Sequence, residues 1–341
     1  MNSIIENLDK TPLCVDLDGT LIQSDLLLES TALLLRDKPW MALALPFWTL
    51  QGRATVKRRI AERVKLAADT LPYNGEVLRW LREEKAKGRC LVLATAAEMQ
   101  LATAVADHAG LFDHVLGSDG KQNLKGAKKL DALRARYGAD FDYAGDSSAD
   151  LPIWRICREA ILVNPSRRTL REATESARVG RIFESRRHTA WLVLRELRVP
   201  RWAKNLLIFV PPIVVRQFGR PDVLYRAFVA FVAFSLLASA MYIVNDIADL
   251  ESDRRDPARR SRPFASGALS LKYAFLFAPT LIVAAFALTA FLPVAAAAVL
   301  ALYFVVALAY SLWLKRKPLI GPVMIVGFYA LRIVMGWASG S

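Results

Sequence analysis

The length, composition and charge of this chain exclude several classes of protein. The chain has 341 residues, of which 54% are hydrophobic and 23% are charged. An apolar fraction this large excludes a disordered chain, and the length predicts two or three domains. The charged residues are unevenly placed, because residues 227–245 and 273–314 contain none. We therefore expect a soluble N-terminal part joined to a part that spans a membrane.

The excess of positive charge lies beside the apolar segments. The formal net charge is +14, and arginines are concentrated in residues 167–201 and 254–262. Basic segments next to membrane spans are typical of cytoplasmic anchoring and of contact with anionic lipid or phosphate. No RNA- or DNA-binding motif accompanies this charge, so we expect no nucleic-acid partner. Residues 1–10 contain no apolar stretch and predict no signal peptide.

The first half of the chain alternates short apolar runs with stretches of helical periodicity. The apolar runs predict β-strands at residues 13–17, 89–95, 141–145 and 161–163. The periodic stretches predict α-helices at residues 53–68, 75–87, 98–109 and 126–137. Strands that alternate with helices form a parallel sheet covered by helices, so we expect an α/β Rossmann-like domain over residues 1–165.

Residues 39–52 are uncharged and rich in Trp, Leu and Ala. A stretch of this length cannot cross a bilayer, which takes about 20 residues. We expect it to form a buried or interfacial helix within an insertion, at about residues 21–88, between the first two strands.

The second half of the chain predicts an all-α, multi-span transmembrane domain over residues 203–341. About five apolar segments lie there, at residues 203–219, 224–246, 273–292, 293–314 and 318–338. The first is weak, because Pro211 and Pro212 predict a broken or tilted helix. The loops at 247–272 and 315–317 are basic, which places them and the N-terminal domain on the cytoplasmic side of the inner (plasma) membrane. The basic linker at 166–202 is either a helix on the membrane surface or an ordinary solvated helix.

Carboxylates follow two of the predicted strands in the first half. Asp16 and Asp18 come directly after the first strand, Asp146 and Asp150 follow the third, and Thr95 ends the strand between them. Parallel strands bring these ends to one edge of the sheet, where ligands bind in open sheets. Carboxylates gathered there repel one another unless a cation is present, and Mg²⁺ is the hard cation that best suits oxygen ligands.

These motifs resemble the haloacid dehalogenase superfamily of phosphohydrolases. The likeness rests on DLDGT at residues 16–20, Thr95, a lysine further along and GDSSAD at residues 145–150. It covers about residues 10–165. It implies a Mg²⁺-dependent phosphatase that acts on a phosphorylated small molecule, with a helical cap at about residues 21–88 that excludes water.

The resemblance also implies roles for single residues. Asp16 would be the nucleophile that forms an aspartyl-phosphate, and Asp18 the general acid and base. Thr95 and Lys125 would hold the phosphoryl oxygens, with Lys128 as the alternative to Lys125. Mg²⁺ would lie in the acidic cluster formed by Asp16, Asp18, Asp146 and Asp150.

Acidic side chains also share one face of a helix at the end of the second apolar segment. The positions are Asn245, Asp246, Asp249 and Asp253. Ionisable groups at membrane depth usually face a cavity and mark a functional site. Mg²⁺ that bridges to a diphosphate would neutralise them, and the arginines of 254–262 could bind further phosphate oxygens. The alternative is a helix end with mixed surface charge.

This pattern, NDxxDxxxD at residues 245–253, resembles the UbiA superfamily of intramembrane prenyltransferases. Further matches are Trp202, Lys204 and Asn205 at the entry to the first helix, and Tyr310, Lys315 and Arg316 at the end of the fourth. The resemblance implies that Mg²⁺ and diphosphate are bound by Asn245, Asp246, Asp249 and Asp253. It implies phosphate contacts from Lys204, Arg262 and Lys315, and a polyprenyl phosphate or diphosphate lipid as substrate. Arg332, inside the last apolar segment, is either a further contact or a helix-pairing or snorkelling residue.

Within that superfamily, the likeness is greatest to the branch that transfers phosphoribosyl from phosphoribosyl diphosphate to a polyprenyl phosphate. One departure is Asp256-Pro257, where that branch often has His-Pro. The family fold has more transmembrane helices and a second acidic loop, so we expect this sequence to be truncated. Three functions stay open: phosphoribosyl transfer, prenyl transfer to an aromatic or other acceptor, and a non-catalytic membrane scaffold that carries a phosphatase.

Overall fold

The computed structural model describes residues 11–119, 122–184, 189–317 and 320–340. The chain divides into two compact units. The first unit contains residues 1–187 and 254–270, and the second contains residues 188–253 and 271–341. Each unit is described separately below.

The first unit is built on a parallel sheet of six strands. They are β1 (Leu13–Val15), β2 (Leu91–Glu98), β3 (His114–Ser118), β4 (Asp142–Gly145), β5 (Ala160–Val163) and β6 (Val179–Phe183). Their order is β3-β2-β1-β4-β5-β6, and every neighbouring pair is parallel. The chain reverses its direction of winding between β1 and β4, so a crevice opens at the carboxyl ends of these two strands.

Helices cover the sheet and form an insertion before β2. They are α1 (Leu26–Asp37), α2 (Leu45–Leu50), α3 (Arg53–Ala61), α4 (Gly75–Ala86), α5 (Met99–Ala109), α6 (Ala127–Tyr137), α7 (Leu151–Trp154) and α8 (Arg167–Ser176). Both faces of the sheet are buried, because Leu13 and Val15 belong to one apolar core and Cys14 between them belongs to another. The insertion has a small core of its own around Trp48 and Ile60.

The sheet extends beyond its predicted end at residue 165. Strand β6 pairs with β5, so α8 and β6 account for the first part of the segment predicted as a linker at 166–202. Strand β3 was also not predicted. The other strands and the helices α3 to α6 lie within two residues of their predicted starts, and α3 is shorter than the predicted 53–68.

Residues 254–270 belong to the first unit through specific contacts. The guanidinium of Arg254 donates two hydrogen bonds, of 3.0 and 2.7 Å, to the carboxylate of Glu29 on α1. Both side chains are buried. Gly267 has a φ of +73° and packs against Gln23 and Pro72.

In its described residues, the second unit has helices as its only regular secondary structure. The remaining helices are α9 (Thr189–Leu197), α10 (Val210–Val214), α11 (Pro221–Ala248), α12 (Leu250–Arg255), α13 (Leu271–Leu288), α14 (Val294–Leu312) and α15 (Ile320–Gly340). In the described part of the chain, four helices are long and apolar enough to cross a membrane: Pro221–Ala248, Leu271–Phe291, Val294–Leu312 and Ile320–Gly340.

The predicted apolar segment at 203–219 is not a membrane-spanning helix. Val199–Phe209 form a 3₁₀ helix, and the short helix α10 follows with Pro211 and Pro212 in its first turn. Proline lacks the N–H donor that a continuing helix needs and clashes with the preceding turn. The expected break is therefore present, and the five predicted spans become four among the described residues.

Candidate functional site

The acidic residues that follow β1 and β4 meet at the crevice of the first unit. Because β1 and β4 are neighbours, Asp16 and Asp146 leave the sheet side by side. Carboxylate oxygens of Asp16, Asp146 and Asp150 all lie within 4.8 Å of one another. Within the described ranges, no other group of three or more Asp, Glu, His or Cys side chains has this spacing. The donor set fits a hard divalent cation such as Mg²⁺.

The charge of this cluster is only partly compensated by the protein. Burial raises the pKa of Asp16 to about 6, although the ammonium group of Lys129 acts in the opposite direction. Burial, together with repulsion from Asp16 and Asp150, raises the pKa of Asp146 well above its ordinary value. A divalent cation between these carboxylates would lower both pKa values, because it favours the ionised forms.

Asp18 has a different environment from the other three aspartates. Its carboxylate accepts a hydrogen bond of 2.7 Å from the backbone N–H of Leu26. Burial, and then repulsion from Asp25 and Asp16, raise the pKa of Asp18 well above its ordinary value. A raised pKa favours the protonated form of a carboxyl group, which is the form that can donate a proton to a leaving group. The carboxylate of Asp18 is not part of the group within 4.8 Å. The cluster in the structure therefore has three aspartates, whereas the prediction had four.

The lysine that contacts Asp16 is Lys129, which the sequence analysis did not single out. Lys129 Nζ lies 3.0 Å from Asp16 Oδ1 and 3.7 Å from Asp150 Oδ1, and the side chain is buried. Lys125 and Lys128 are exposed. Burial acts to lower the pKa of Lys129, but the carboxylates of Asp16 and Asp150 outweigh it and raise that pKa. The structure thus places Lys129 at the position expected of Lys125.

Tyr143 links this lysine to the end of the acidic motif. Lys129 Nζ donates to the hydroxyl of Tyr143 at 2.8 Å, and that hydroxyl donates to Asp150 Oδ1 at 2.9 Å. Asp150 also accepts hydrogen bonds of 3.2 Å from the N–H and the hydroxyl of Ser147. This buried network fixes Asp150 and Lys129 against the cluster.

Thr95 lies inside β2 rather than at its end. It is fully buried, and its hydroxyl accepts a hydrogen bond of 3.0 Å from the N–H of Ala97. The pairing of β2 with β3 is irregular between Ala94 and Glu98. Irregular pairing of this kind is common beside functional sites, where it redirects side chains.

A cavity of about 430 Å³ lies beside Asp18 and is lined partly by the insertion. Its polar lining includes Asp18, Arg53, Lys57 and Lys125. Lys57 on α3 was not predicted; its Nζ donates to the carbonyl of Ala96 at 2.6 Å and to Asn123 Oδ1 at 2.9 Å. Burial lowers the pKa of Lys57. Arg53, Lys57 and Lys125 thus give the cavity basic side chains beside Asp18, the candidate general acid.

Gly19 is required by the close approach of the two acidic motifs. Its φ is +76°, and a Cβ at this position would overlap the carboxylate of Asp146. Gly88 has a similar φ of +78° with no atom within 4 Å of an added Cβ. We expect Gly19→Ala and Gly88→Ala to cost about 1–2 kcal/mol each for the left-handed backbone.

Only Gly19→Ala also displaces Asp146, so we expect it to lower about 10²-fold the rate of the phosphate-ester hydrolysis that the resemblance implies, while Gly88→Ala leaves that rate unchanged. Steady-state rates and thermal unfolding of both variants provide the test. Equal rates in the two variants would show that Asp146 need not hold its position.

The predicted acidic face of the second unit divides into two groups. Asp246 is buried and accepts hydrogen bonds of 2.7 and 2.6 Å from Arg198 Nη2. Lys315 Nζ lies 2.6 Å from Asp249 Oδ1 and 3.1 Å from Asn245 Oδ1. Asn245 and Asp249, predicted as ligands of Mg²⁺ and diphosphate, therefore contact Lys315, predicted as a phosphate contact, while Asp246 pairs with Arg198, which was not predicted.

Asp253 is buried as well. Asp246, Asp249 and Asp253 do not form a group with the spacing found in the first unit, among the residues that the structure describes. Their oxygens suit Mg²⁺ in kind, but Asp246 is paired here with Arg198 and Asp249 with Lys315.

The other predicted phosphate contacts are Lys204, Arg262 and Arg332. Lys204 is exposed, with its Nζ 5.7 Å from the ring centre of Tyr329. Arg262 lies in the segment 254–270, which belongs to the first unit. Arg332 donates from Nε to Asn205 Oδ1 at 2.7 Å, and Asn205 donates to the hydroxyl of Ser235 at 2.8 Å. This buried chain of bonds favours a helix-pairing role for Arg332.

Comparison with known proteins agrees with the division of the chain into two units. Residues 13–155 match the model of haloacid dehalogenase-like hydrolases, and residues 206–341 match that of the UbiA prenyltransferase family. Protein y4nM of Sinorhizobium fredii is 38% identical over 96% of this chain and 64% of its own length. Decaprenyl-phosphate phosphoribosyltransferase of Mycobacterium tuberculosis is 33% identical over 42% of this chain and 49% of its own length.

Among the solved structures found by comparison is a HAD family hydrolase from Salmonella enterica serovar Typhi. It shares 16% identity, covers 47% of this chain and 64% of its own, and has a TM-score of 0.35. The chain spans about half the length of the curated phosphoribosyltransferase that it matches. It carries a haloacid dehalogenase-like domain over residues 13–155 and a UbiA-family domain over residues 206–341.

Proposed function

We propose that the first unit hydrolyses phosphate monoesters with Asp16 as nucleophile and Mg²⁺ as cofactor. The observation that carries this proposal is the set of three carboxylates within 4.8 Å, with Lys129 at 3.0 Å from Asp16. This arrangement gathers negative charge where a cation and a phosphoryl group can be held together. Mg²⁺, when bound, supplies positive charge that offsets the repulsion between Asp16 and the phosphoryl oxygens.

The reaction divides into two displacements at phosphorus. In the first, a carboxylate oxygen of Asp16 bonds to phosphorus, the bond to the leaving oxygen breaks, and Asp18 gives that oxygen its proton. In the second, Asp18 takes a proton from water, the water oxygen bonds to phosphorus, and inorganic phosphate leaves Asp16. Lys129 and Thr95 contact the phosphoryl oxygens throughout, and Asp150 holds Lys129 in place.

The second unit is proposed to transfer a group between polyprenyl phosphate or diphosphate lipids and a second substrate. Asn245, Asp249 and Lys315 are in contact, so the end of α11 already holds carboxylate and ammonium groups that a diphosphate with Mg²⁺ can engage. The phosphoribosyltransferase relative favours phosphoribosyl transfer, and Asp256 is the departure that keeps prenyl transfer as the alternative.

Both activities are proposed to lie at the inner membrane, with the first unit in the cytoplasm. The basic residues 254–262 and 315–317 support this orientation. If the transferase product carries a 5-phosphoribosyl group, its phosphate monoester is the substrate class that the first unit would hydrolyse. The remaining alternative is a phosphatase attached to a membrane scaffold without catalytic activity.

A crossed experiment on the reconstituted chain tests both units at once. Phosphate release is measured with p-nitrophenyl phosphate, and diphosphate release with phosphoribosyl diphosphate plus polyprenyl phosphate or with a prenyl diphosphate plus an aromatic acceptor. We expect Asp16→Asn to lower phosphate release about 10³-fold or more and to spare diphosphate release. We expect Asp249→Asn to lower diphosphate release and to spare phosphate release. EDTA should stop both, and Mg²⁺ should restore both.

Each variant thereby serves as the folding control for the other. Phosphate release that survives Asp16→Asn would refute the nucleophile assignment. Diphosphate release that is absent from the unmodified chain with every donor would favour the scaffold alternative.

A further inference from the structure

An exposed apolar surface lies on the insertion of the first unit. Trp40, Leu43, Phe47 and Leu50 are 62, 77, 67 and 86% exposed. Their spacing of three and four residues puts them on one side of the helical turns between residues 39 and 50. On the opposite side, Trp48 is buried in the small core of the insertion. The exposed side chains therefore belong to a folded amphipathic segment.

The surroundings of this segment carry positive charge. Residues 39–52 are uncharged, whereas residues 53–65 contain six basic residues and one acidic residue. The guanidinium groups of Arg59 and Arg63 lie 5.7 and 5.2 Å from the ring centre of Trp48, so basic groups are held against the same apolar core. An apolar face rich in Trp, Phe and Leu next to Lys and Arg is the pattern of helices that lie in a lipid headgroup region.

We propose that residues 39–52 anchor the insertion of the phosphatase unit in the surface of the bilayer. A lipid surface is the occupant that fits, because four helices in the described part of the same chain are long and apolar enough to span a membrane. The basic residues of 53–65 complement anionic lipid. The apolar side chains lose contact with water when they enter the boundary between headgroups and acyl chains.

The anchor has a consequence for the substrate of the proposed phosphatase, and this step rests on that function. Thr49 of the anchor and Arg53 and Lys57 of α3 line the cavity of about 430 Å³ beside Asp18. An anchored insertion therefore presents the cavity to lipid headgroups. The substrate class that it favours is a phosphate monoester carried by a membrane lipid.

The depth of the segment in the bilayer is measured on the full chain in nanodiscs that contain phosphatidylglycerol. A nitroxide is attached at Phe47→Cys or Leu50→Cys in a Cys90→Ser background, since Cys14 and Cys157 are buried. The control is Glu83→Cys, an exposed position on α4 of the same insertion. We expect oxygen to relax the labels at 47 and 50 more than a water-soluble nickel complex does, and the reverse at 83.

Equal access of the nickel complex to positions 47, 50 and 83 would overturn the anchor. Dipolar broadening between labels at position 47 on different chains would overturn the membrane anchor, and would indicate that a second copy of the chain covers the apolar surface. Depth is read without any catalysis, so this result is independent of the phosphatase proposal.

The substrate consequence is tested separately with Leu43→Ser combined with Leu50→Ser. We expect KM for a phosphate-bearing lipid in vesicles to rise about tenfold, with p-nitrophenyl phosphate hydrolysis unchanged. An unchanged KM for the lipid would refute the substrate class. Loss of p-nitrophenyl phosphate hydrolysis in the unmodified chain would instead point to failure of the phosphatase proposal.

Discussion

Replacing Lys129 by Ala is expected to lower the rate of phosphate-ester hydrolysis by about 10²- to 10³-fold, the usual effect of removing one fixed electrostatic group from an active site. The substitution removes the positive charge that lies 3.0 Å from Asp16 Oδ1. It also removes the donor to the Tyr143 hydroxyl that helps to fix Asp150. We expect kcat to fall, because the charge acts on the reacting phosphoryl group. Stopped assays across a range of substrate concentrations give kcat and KM separately.

Two neighbouring lysines provide matched controls for this substitution. Lys128 precedes Lys129 on α6 and is exposed, so Lys128→Ala should leave kcat and KM unchanged. Lys125 lines the cavity, and Lys125→Ala should raise KM more than it lowers kcat. The opposite outcome, a normal kcat in Lys129→Ala and an inactive Lys125→Ala, would restore the assignment that the sequence motif predicts. Thermal unfolding of each variant checks that it is folded.

The difference between Lys125 and Lys129 marks the limit of the sequence motif. The position of Asp16 and Asp146 could be predicted, because a parallel sheet places the residues that follow neighbouring strands at one edge. The lysine comes from a helix, and its direction depends on the phase of that helix. Lys129 and Leu133 share the buried side of α6. The four-residue spacing between a lysine and a buried leucine was the signal that could have identified it.

The limits of the sheet were harder to predict than its centre. Strands β1 and β5 are buried on both faces and appear as continuous apolar runs, and β4 is equally buried although it begins with Asp142. Strand β6 is partly exposed and contains Gly180 and Arg181, so it lacks such a run. The edge of the sheet therefore resembled a linker in sequence.

In the second unit, local patterns predicted Asn245, Asp249 and Lys315 but could not predict Arg198. The helical spacing of the acidic residues is visible over nine positions, whereas Arg198 reaches Asp246 from 48 residues away. Arg198 also has a φ of +52°, a backbone conformation that sequence spacing does not reveal for arginine. Contacts of this kind depend on how helices pack.

Arg198→Ala is expected to lower the free energy of unfolding of the second unit by about 3 kcal/mol. Asp246 is buried, and a buried carboxylate that loses its charged hydrogen-bond partner is strongly destabilising. Alanine and arginine both pay the backbone strain of the positive φ at position 198. The difference in the free energy of unfolding therefore reports on the lost side chain alone. Unfolding of the chain in mixed micelles, followed as denaturing detergent is added, measures this difference.

Arg201→Ala is the matched control for this substitution. The guanidinium groups of Arg198 and Arg201 lie at similar distances, 4.8 and 5.1 Å, from the ring centre of Tyr242, but the ion pair with Asp246 is made by Arg198. Arg201→Ala should therefore cost no more than about 1 kcal/mol. Adding Asp246→Asn to Arg198→Ala should recover part of the loss, because a neutral amide costs less to bury than a carboxylate that has lost the charge of Arg198. Equal losses in the two arginine variants would mean that the ion pair between Arg198 and Asp246 contributes nothing to stability.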